Sequence, residues 1–302
     1  MKMSDAAFYE YLDKLSSMTP VCEGIEVMPD GNRKWVKITQ KHQLGMDTSI
    51  ENNPSKEIYP ETVHTEACEI VVYSIFKRNN KLDKDGNPLI YALKNENNYC
   101  MSNKDKEYLW DICRKITQKI VNDICSTESI EENVFVAVPT TNRLNNMIYE
   151  EIKGVIPNPV KLSGVLRKLN PADVKELLLN TDGFHEMLYR AYDAHSGSSS
   201  KTEEEPYISE AIEAFDAAFN EQKGIFVRHK LPLWLRPIVK KTMEISPEFK
   251  KEVNAAKIMG KNLIIIDDTI KDGNSIKEAY KLLAENFEPK SMHCITLCSS
   301  MK

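Results

Sequence analysis

The stretch KNLIIIDDTIKDGNSIKEAYKLL, residues 261–283, restricts this chain more than any other. Four apolar residues, Leu263 to Ile266, run into two adjacent carboxylates, Asp267 and Asp268. A short polar turn with one glycine follows, and then apolar residues at helical spacing over 274–286. A continuous apolar run bounded by a turn predicts a strand over 263–267 buried on both faces. Such strands belong to parallel sheets covered by helices. In open parallel sheets the ligand crevice lies beyond the carboxyl ends of the strands. Two neighbouring negative charges placed there repel each other, so another group is expected to share them.

The rest of the chain agrees with that fold class. CEIVVYSIF (68–76) and NVFVAVP (133–139) are apolar strand patterns, and SMHCITLCS (291–299) is another. KDKEYLWDICRKITQKIVNDIC (104–125), RLNNMIYEEI and ISEAIEAFDAAFNEQ (208–222) repeat at helical spacing. NPADVKELLL adds a helix with Asn170 as its cap and Pro171 at its first position. Strands alternating with helices of this length predict an α/β fold built on a parallel, doubly wound sheet. KDGNP reads as a turn before the apolar LIYAL (89–93). Further upstream, DAAFYEYLDKLSSM predicts a helix capped by Ser4 or Asp5. MPDGNRKWVKITQ predicts a hairpin turning at Asp30-Gly31 or Gly31-Asn32, and SIENNPSKEIYPE is a polar connector. YDAHSGSSSKTEEEPY (192–207), rich in Ser, Gly and acid, reads as a loop tip.

Composition removes several functions. A net charge of −5 opposes bulk attraction to nucleic acid or anionic lipid. No apolar run is long enough to span a bilayer, and the amino terminus lacks the apolar segment of a signal peptide. The expectation is a cytoplasmic protein. Seven cysteines with no C-x-x-C pair point to reduced thiols, and Cys294 and Cys298 read as core residues of a strand. The histidines are isolated, which leaves a metalloenzyme site without a ligand pattern. LPLWLRPIVKK (231–241) admits a basic-aromatic surface around Trp234, but a packed helix with a solvated basic end is the simpler reading. KRNNKLDKDGNP lacks the calcium-loop register.

The turn Lys271-Asp272-Gly273-Asn274-Ser275 leads into a helix, whose first N–H groups lack partners and whose dipole favours anions. Carboxylates that hold hydroxyls or a metal, beside amides that hold phosphate, suit a sugar phosphate. The plain alternative is a strand end followed by a capped helix. A D-x-D-x-T phosphatase would need a second acid where Thr269 stands, and no P-loop motif is present. Ion pairs tying both aspartates to the protein's own lysines or arginines would argue against the ligand.

GKNLIIIDDTIKDGNSI resembles the phosphoribosyl-pyrophosphate signature of type I phosphoribosyltransferases. Within that superfamily PLIYALKNE, VFVAVPTTNRLNN and VLRKLNPADVKELL resemble segments of competence-protein-F-like amidophosphoribosyltransferase homologues. The resemblance implies a domain over 66–302 with an amino-terminal extension at 1–65 and a helical insertion at about 183–225. It also implies that Asp267 and Asp268 hold the ribose hydroxyls, directly or through Mg²⁺, while residues 271–275 wrap the 5′-phosphate. Thr140, Thr141 and Arg143 would form the pyrophosphate loop, with Arg143 or Lys168 as cationic partner and residues 166–235 as a hood.

Three departures stand out, one of them the long insertion at about 183–225 itself. The family has Thr or Ser where this chain has Lys271 and Asp272. At an effective dielectric of about 20, unit charges roughly 5 Å apart repel by about 3 kcal/mol. A charge-assisted hydrogen bond returns about 1.5–3 kcal/mol, so an inward Asp272 would cancel a phosphate contact. Moreover, no cysteine-rich zinc finger precedes the domain, since only Cys22 lies in that region. The resemblance therefore implies one of two functions. One is Mg²⁺-dependent phosphoribosyl transfer to or from a nitrogenous acceptor. The other is a non-catalytic sensor or effector of phosphoribosyl pyrophosphate or nucleotide, in regulation or bacterial defence. A third reading is an interaction protein that docks a protein partner through 183–225. The sequence also admits a homodimer.

Overall fold

The computed structural model describes residues 25–39, 61–64, 69–77, 87–127, 133–140, 143–155, 159–196, 206–220, 225–226, 231–232, 234–236, 238–239, 241–270 and 273–299. The helix expected after Ser4, most of the connector from Ser49 and residues 197–205 of the loop tip expected at 192–207 lie outside them, while residues 192–196 and 206–207 of that stretch are helical rather than loop.

In chain order the elements begin with β1 (Ile25–Asp30), β2 (Arg33–Ile38), β3 (Glu61–His64), β4 (Glu69–Lys77) and α1 (Asn87–Lys94). Next come β5 (Tyr99–Met101), α2 (Asn103–Thr127), β6 (Asn133–Ala137), α3 (Leu144–Lys153), β7 (Val160–Leu162) and β8 (Leu166–Lys168). Then follow α4 (Pro171–Leu179), α5 (Phe184–Ser196), α6 (Pro206–Ala217), β9 (Phe219–Asn220), β10 (Ile225–Phe226) and β11 (Met243–Ile245). The chain closes with α7 (Glu252–Ala255), β12 (Asn262–Ile270), α8 (Asn274–Phe287) and β13 (Ser291–Ser299). The chain divides into two compact units. Met1–Lys161, Lys261–Gly273 and Lys290–Lys302 make the first, and Leu162–Gly260 with Asn274–Pro289 the second.

The first unit is organised by a six-stranded sheet in the order β3-β4-β13-β12-β6-β7. Its four central strands are parallel, and β3 closes one edge antiparallel to β4. The centre is buried: β12 has only Thr269 partly exposed, and Phe135, Val136, Ile264 and Ile295 are shut from solvent. The fold is thus mixed α/β with a mostly parallel sheet. α2 presents Leu109, Ile112, Cys113, Ile116, Ile120, Val121 and Ile124 to the core, none more than 2% exposed. Each such apolar side chain contributes roughly 1.5–3 kcal/mol on burial. Ser102 caps this helix: its Oγ accepts from Asp105 N at 3.1 Å and donates to Asp105 Oδ2 at 2.8 Å.

The predicted hairpin forms with Asp30 opposite Arg33, and Gly31 takes the positive φ (+57°) that the turn requires. β2 then pairs in parallel with β5, and Val36 enters the same core as α2. The segment LIYAL lies within α1, which ends at Lys94 before three asparagines with positive φ, Asn95, Asn97 and Asn98.

The second unit has its own core of Leu169, Val174, Leu178, Phe184, Leu188, Phe215, Trp234 and Leu235. α4 is capped as its sequence predicts, Asn170 accepting from Asp173 N at 2.9 Å. β8 and β11 pair antiparallel. From α8, Glu278 accepts hydrogen bonds from Thr242 N, from Thr242 Oγ1 at 2.8 Å and from Met243 N at 2.7 Å. At 231–241 the expected packing of Trp234 holds, but the expected helix is corrected. Trp234 is buried, edge-on to Tyr192 with centroids 5.5 Å apart, and the described backbone around it forms turns rather than a helix.

Candidate functional site at the carboxyl edge of the sheet

β12 carries the aspartates inside its hydrogen-bonded length. Toward β6 the pairing stops at Ile266 opposite Ala137, with one further bond from Val138 N to Ile266 O at 2.8 Å. Toward β13 it continues, Asp267 facing Thr296 and Ile270 facing Ser299. The expected strand end at 267 is thus early, because β13 supplies partners as far as Ile270. The acids stand where β12 outruns β6.

Asn145, near the start of α3, ties this fork together. Its Nδ2 donates to Val138 O at 2.8 Å and to Ile266 O at 3.3 Å. The side chain is buried, and its Oδ1 has no hydrogen-bond partner among the described residues. Sequence reasoning missed this residue, whose only local signal is an amide side chain on an otherwise apolar helix face.

Asp267 and Asp268 are 6% and 8% exposed. Asp267 Oδ1 accepts from Asp268 N at 2.9 Å. One strand away, burial pushes the Cys294 thiol well up from its ordinary range, and the charge of Asp267 adds to that rise. Cys294 therefore stays a neutral core thiol.

The charge on Asp268 is shared by a lysine. Lys94, the last residue of α1, places Nζ 3.2 Å from Asp268 Oδ2 and donates to Thr269 Oγ1 at 2.7 Å. Thr269 Oγ1 donates in turn to Asp268 Oδ1 at 2.7 Å, and Thr140 Oγ1 donates to Oδ2 at 3.3 Å. The two side chains of the ion pair are only 14% and 11% exposed. One aspartate is thus engaged by the protein's own lysine, the contact that weighs against a bound ligand in this arrangement. Lys94 is the lysine of PLIYALKNE, but it lies 175 positions from Thr269, and nothing local announces the contact.

The other expected site residues fall as follows. Thr140 joins Asp268 through its hydroxyl. Arg143 is exposed at the amino end of α3, makes no side-chain cap bond there and forms no ion pair with either aspartate among the described residues. Gly273 is buried with φ +71°, a conformation that favours glycine. Asn274 and Ser275 open α8, and Lys168 lies in β8, all in the second unit. Thr141, Lys271 and Asp272 are outside the described residues.

Among the described residues no group of three or more His, Cys, Asp or Glu is placed to hold a metal ion. Two carboxylates and a threonine hydroxyl still suit Mg²⁺. That ion takes hard oxygens, one or two of them from carboxylates, and completes its shell with water and substrate phosphates. Among the described residues no helix is long and apolar enough to cross a membrane.

A buried parallel sheet with paired acids at its carboxyl edge defines a class of α/β ligand sites. The family model of the phosphoribosyl transferase domain matches residues 230–302, a span that runs from before β11 through β13 and includes both aspartates. This part of the chain is therefore phosphoribosyltransferase-like. No curated protein matches the chain.

Proposed function

We propose that the chain binds phosphoribosyl pyrophosphate with Mg²⁺ and transfers its phosphoribosyl group to, or from, a nitrogenous acceptor. The observation that carries this reading is the pair Asp267-Asp268 at the fork of β12 and β6, inside the segment that matches the phosphoribosyl transferase domain. In this reading the two carboxylates take the ribose hydroxyls, directly or through the metal. Thr140, Thr141 and Arg143, which follow β6, face the pyrophosphate, and residues 271–275 take the 5′-phosphate. The competence-protein-F-like likeness of PLIYALKNE and VFVAVPTTNRLNN adds to the case. The chain contributes positioning and preorganised charge around an electron-poor ribose and a departing anion. Bound Mg²⁺ would supply further stabilisation of negative charge on the pyrophosphate.

Phosphoribosyl pyrophosphate with Mg²⁺ is expected to raise the melting temperature, since ligand at about 100 times its dissociation constant contributes roughly 2.7 kcal/mol. Asp267→Asn with Asp268→Asn should abolish the shift while leaving the unliganded melt cooperative. The absence of any shift at millimolar ligand discards the reading.

A second reading is a sensor that retains the pocket without turnover. An acid inside the phosphate turn, Asp272, favours it. A ligand-induced shift without pyrophosphate release across a panel of bases and amines would select the sensor.

A further inference from the structure

We propose that Lys94 is the resident counter-ion of Asp268, released when a cation takes that carboxylate and re-engaged by the diphosphate that arrives with it. The inference rests on the reading of Asp268 as a ligand-binding carboxylate. Its basis is the set of contacts around that side chain. Oδ2 already receives Lys94 Nζ at 3.2 Å and Thr140 Oγ1 at 3.3 Å, and Oδ1 receives Thr269 Oγ1 at 2.7 Å. A metal ion or ribose hydroxyl that takes Oδ2 must displace the ammonium or compete with it for the same lone pairs.

The ammonium is built to move. It is a compact charge on a flexible four-carbon stem, and it sits at the carboxyl end of α1, where the helix dipole favours a cation. Asn95 N bonds Ala92 O at 3.3 Å and Glu96 N bonds Tyr91 O at 2.9 Å, which holds the end of the helix in place while the side chain swings. Once it leaves Asp268, Lys94 is a mostly buried cation that needs an anion. A diphosphate at the same edge supplies oxygens for it. Lys94 therefore opposes the binding of a metal ion alone and supports the binding of metal and diphosphate together.

Lys94→Met keeps the stem and removes the charge, while Lys94→Arg keeps the charge. Mn²⁺ binding is titrated alone by electron paramagnetic resonance, and inorganic pyrophosphate with Mg²⁺ is titrated by calorimetry. Thermal melts run alongside to confirm that each variant is folded. Loss of a charge-assisted contact predicts that the methionine variant binds Mn²⁺ about tenfold more tightly and pyrophosphate about tenfold more weakly. The arginine variant should stay within about threefold of the native chain in both titrations, because the charge is preserved. A methionine variant that changes neither affinity, or weakens both, overturns the exchange and leaves Lys94 a structural ion pair. Absence of Mn²⁺ binding in every variant overturns it as well. If the native chain binds phosphoribosyl pyrophosphate while the methionine variant shows unchanged Mn²⁺ affinity, the inference fails and the proposed function stands. If no variant binds phosphoribosyl pyrophosphate, yet Mn²⁺ binds more tightly once Lys94 is gone, the proposed function fails and the counter-ion role stands.

Discussion

The two units of this chain satisfy their polar groups in opposite ways. In the first, strands such as β4, β12 and β13, each nine residues long, complete one another's backbone bonds. The side chains at their carboxyl edge are then not needed to complete the backbone ladder, and Asp267 and Asp268 stand there. In the second, β8 and β11 are three residues each, and β11 begins on a carboxylate borrowed from α8, since Glu278 takes the amides of Thr242 and Met243. Long parallel strands build a platform that bears charge, while short strands spend charge on finishing the backbone. The same residue type, a buried or half-buried acid, is therefore a candidate ligand in one unit and a structural cap in the other.

That contrast can be broken first at the cores. Phe135→Ala removes a fully buried ring that packs edge-on to Tyr149, with centroids 5.8 Å apart. The expected loss is about 3–5 kcal/mol in urea unfolding, together with weaker ligand binding, because the platform itself is damaged. A loss below about 1 kcal/mol would show that the sheet core is not what holds the first unit together.

Glu278→Ala tests the structural acid. It strands two backbone amides, at about 1–3 kcal/mol for each group left unsatisfied. Hydrogen exchange should speed up at Thr242 and Met243 and stay slow from Leu263 to Ile266. Equal acceleration in β12 would mean that the two units open as one, and the comparison would lose its force.

The smallest expected effect is alkaline. All seven cysteines lie in the sequence of the first unit. Burial pushes the Cys113 and Cys294 thiols up, so the folded chain keeps protons that the unfolded chain releases near 9. Stability from these groups is whole below pH 9 and falls as pH rises beyond it, by up to about 1.4 kcal/mol per pH unit for each thiol. Urea midpoints between pH 8 and 10 would measure this, and an unchanged midpoint would contradict the buried-thiol account. Exchange in the second unit, which has no cysteine, should respond less.

Much of this molecule could be read from local pattern. The apolar run before Asp267, the stripe of α2, the Asn170 cap and the Gly31 turn each rest on contacts within a few residues, and each forms as its residues predict. The acid pair at the carboxyl edge belongs to the same group, since strand direction alone puts it there. What only the tertiary structure decided is who shares that charge and where the strand ends. Lys94 reaches Asp268 from α1, Asn145 clamps the carbonyls of Val138, just past β6, and of Ile266 in β12, and β12 continues past Asp267 because β13 is equally long. The packing likewise places Glu278 on β11 and turns Trp234 inward. Local sequence sets which conformations a segment can adopt, whereas charge pairing and strand length depend on neighbours that the chain supplies from far away.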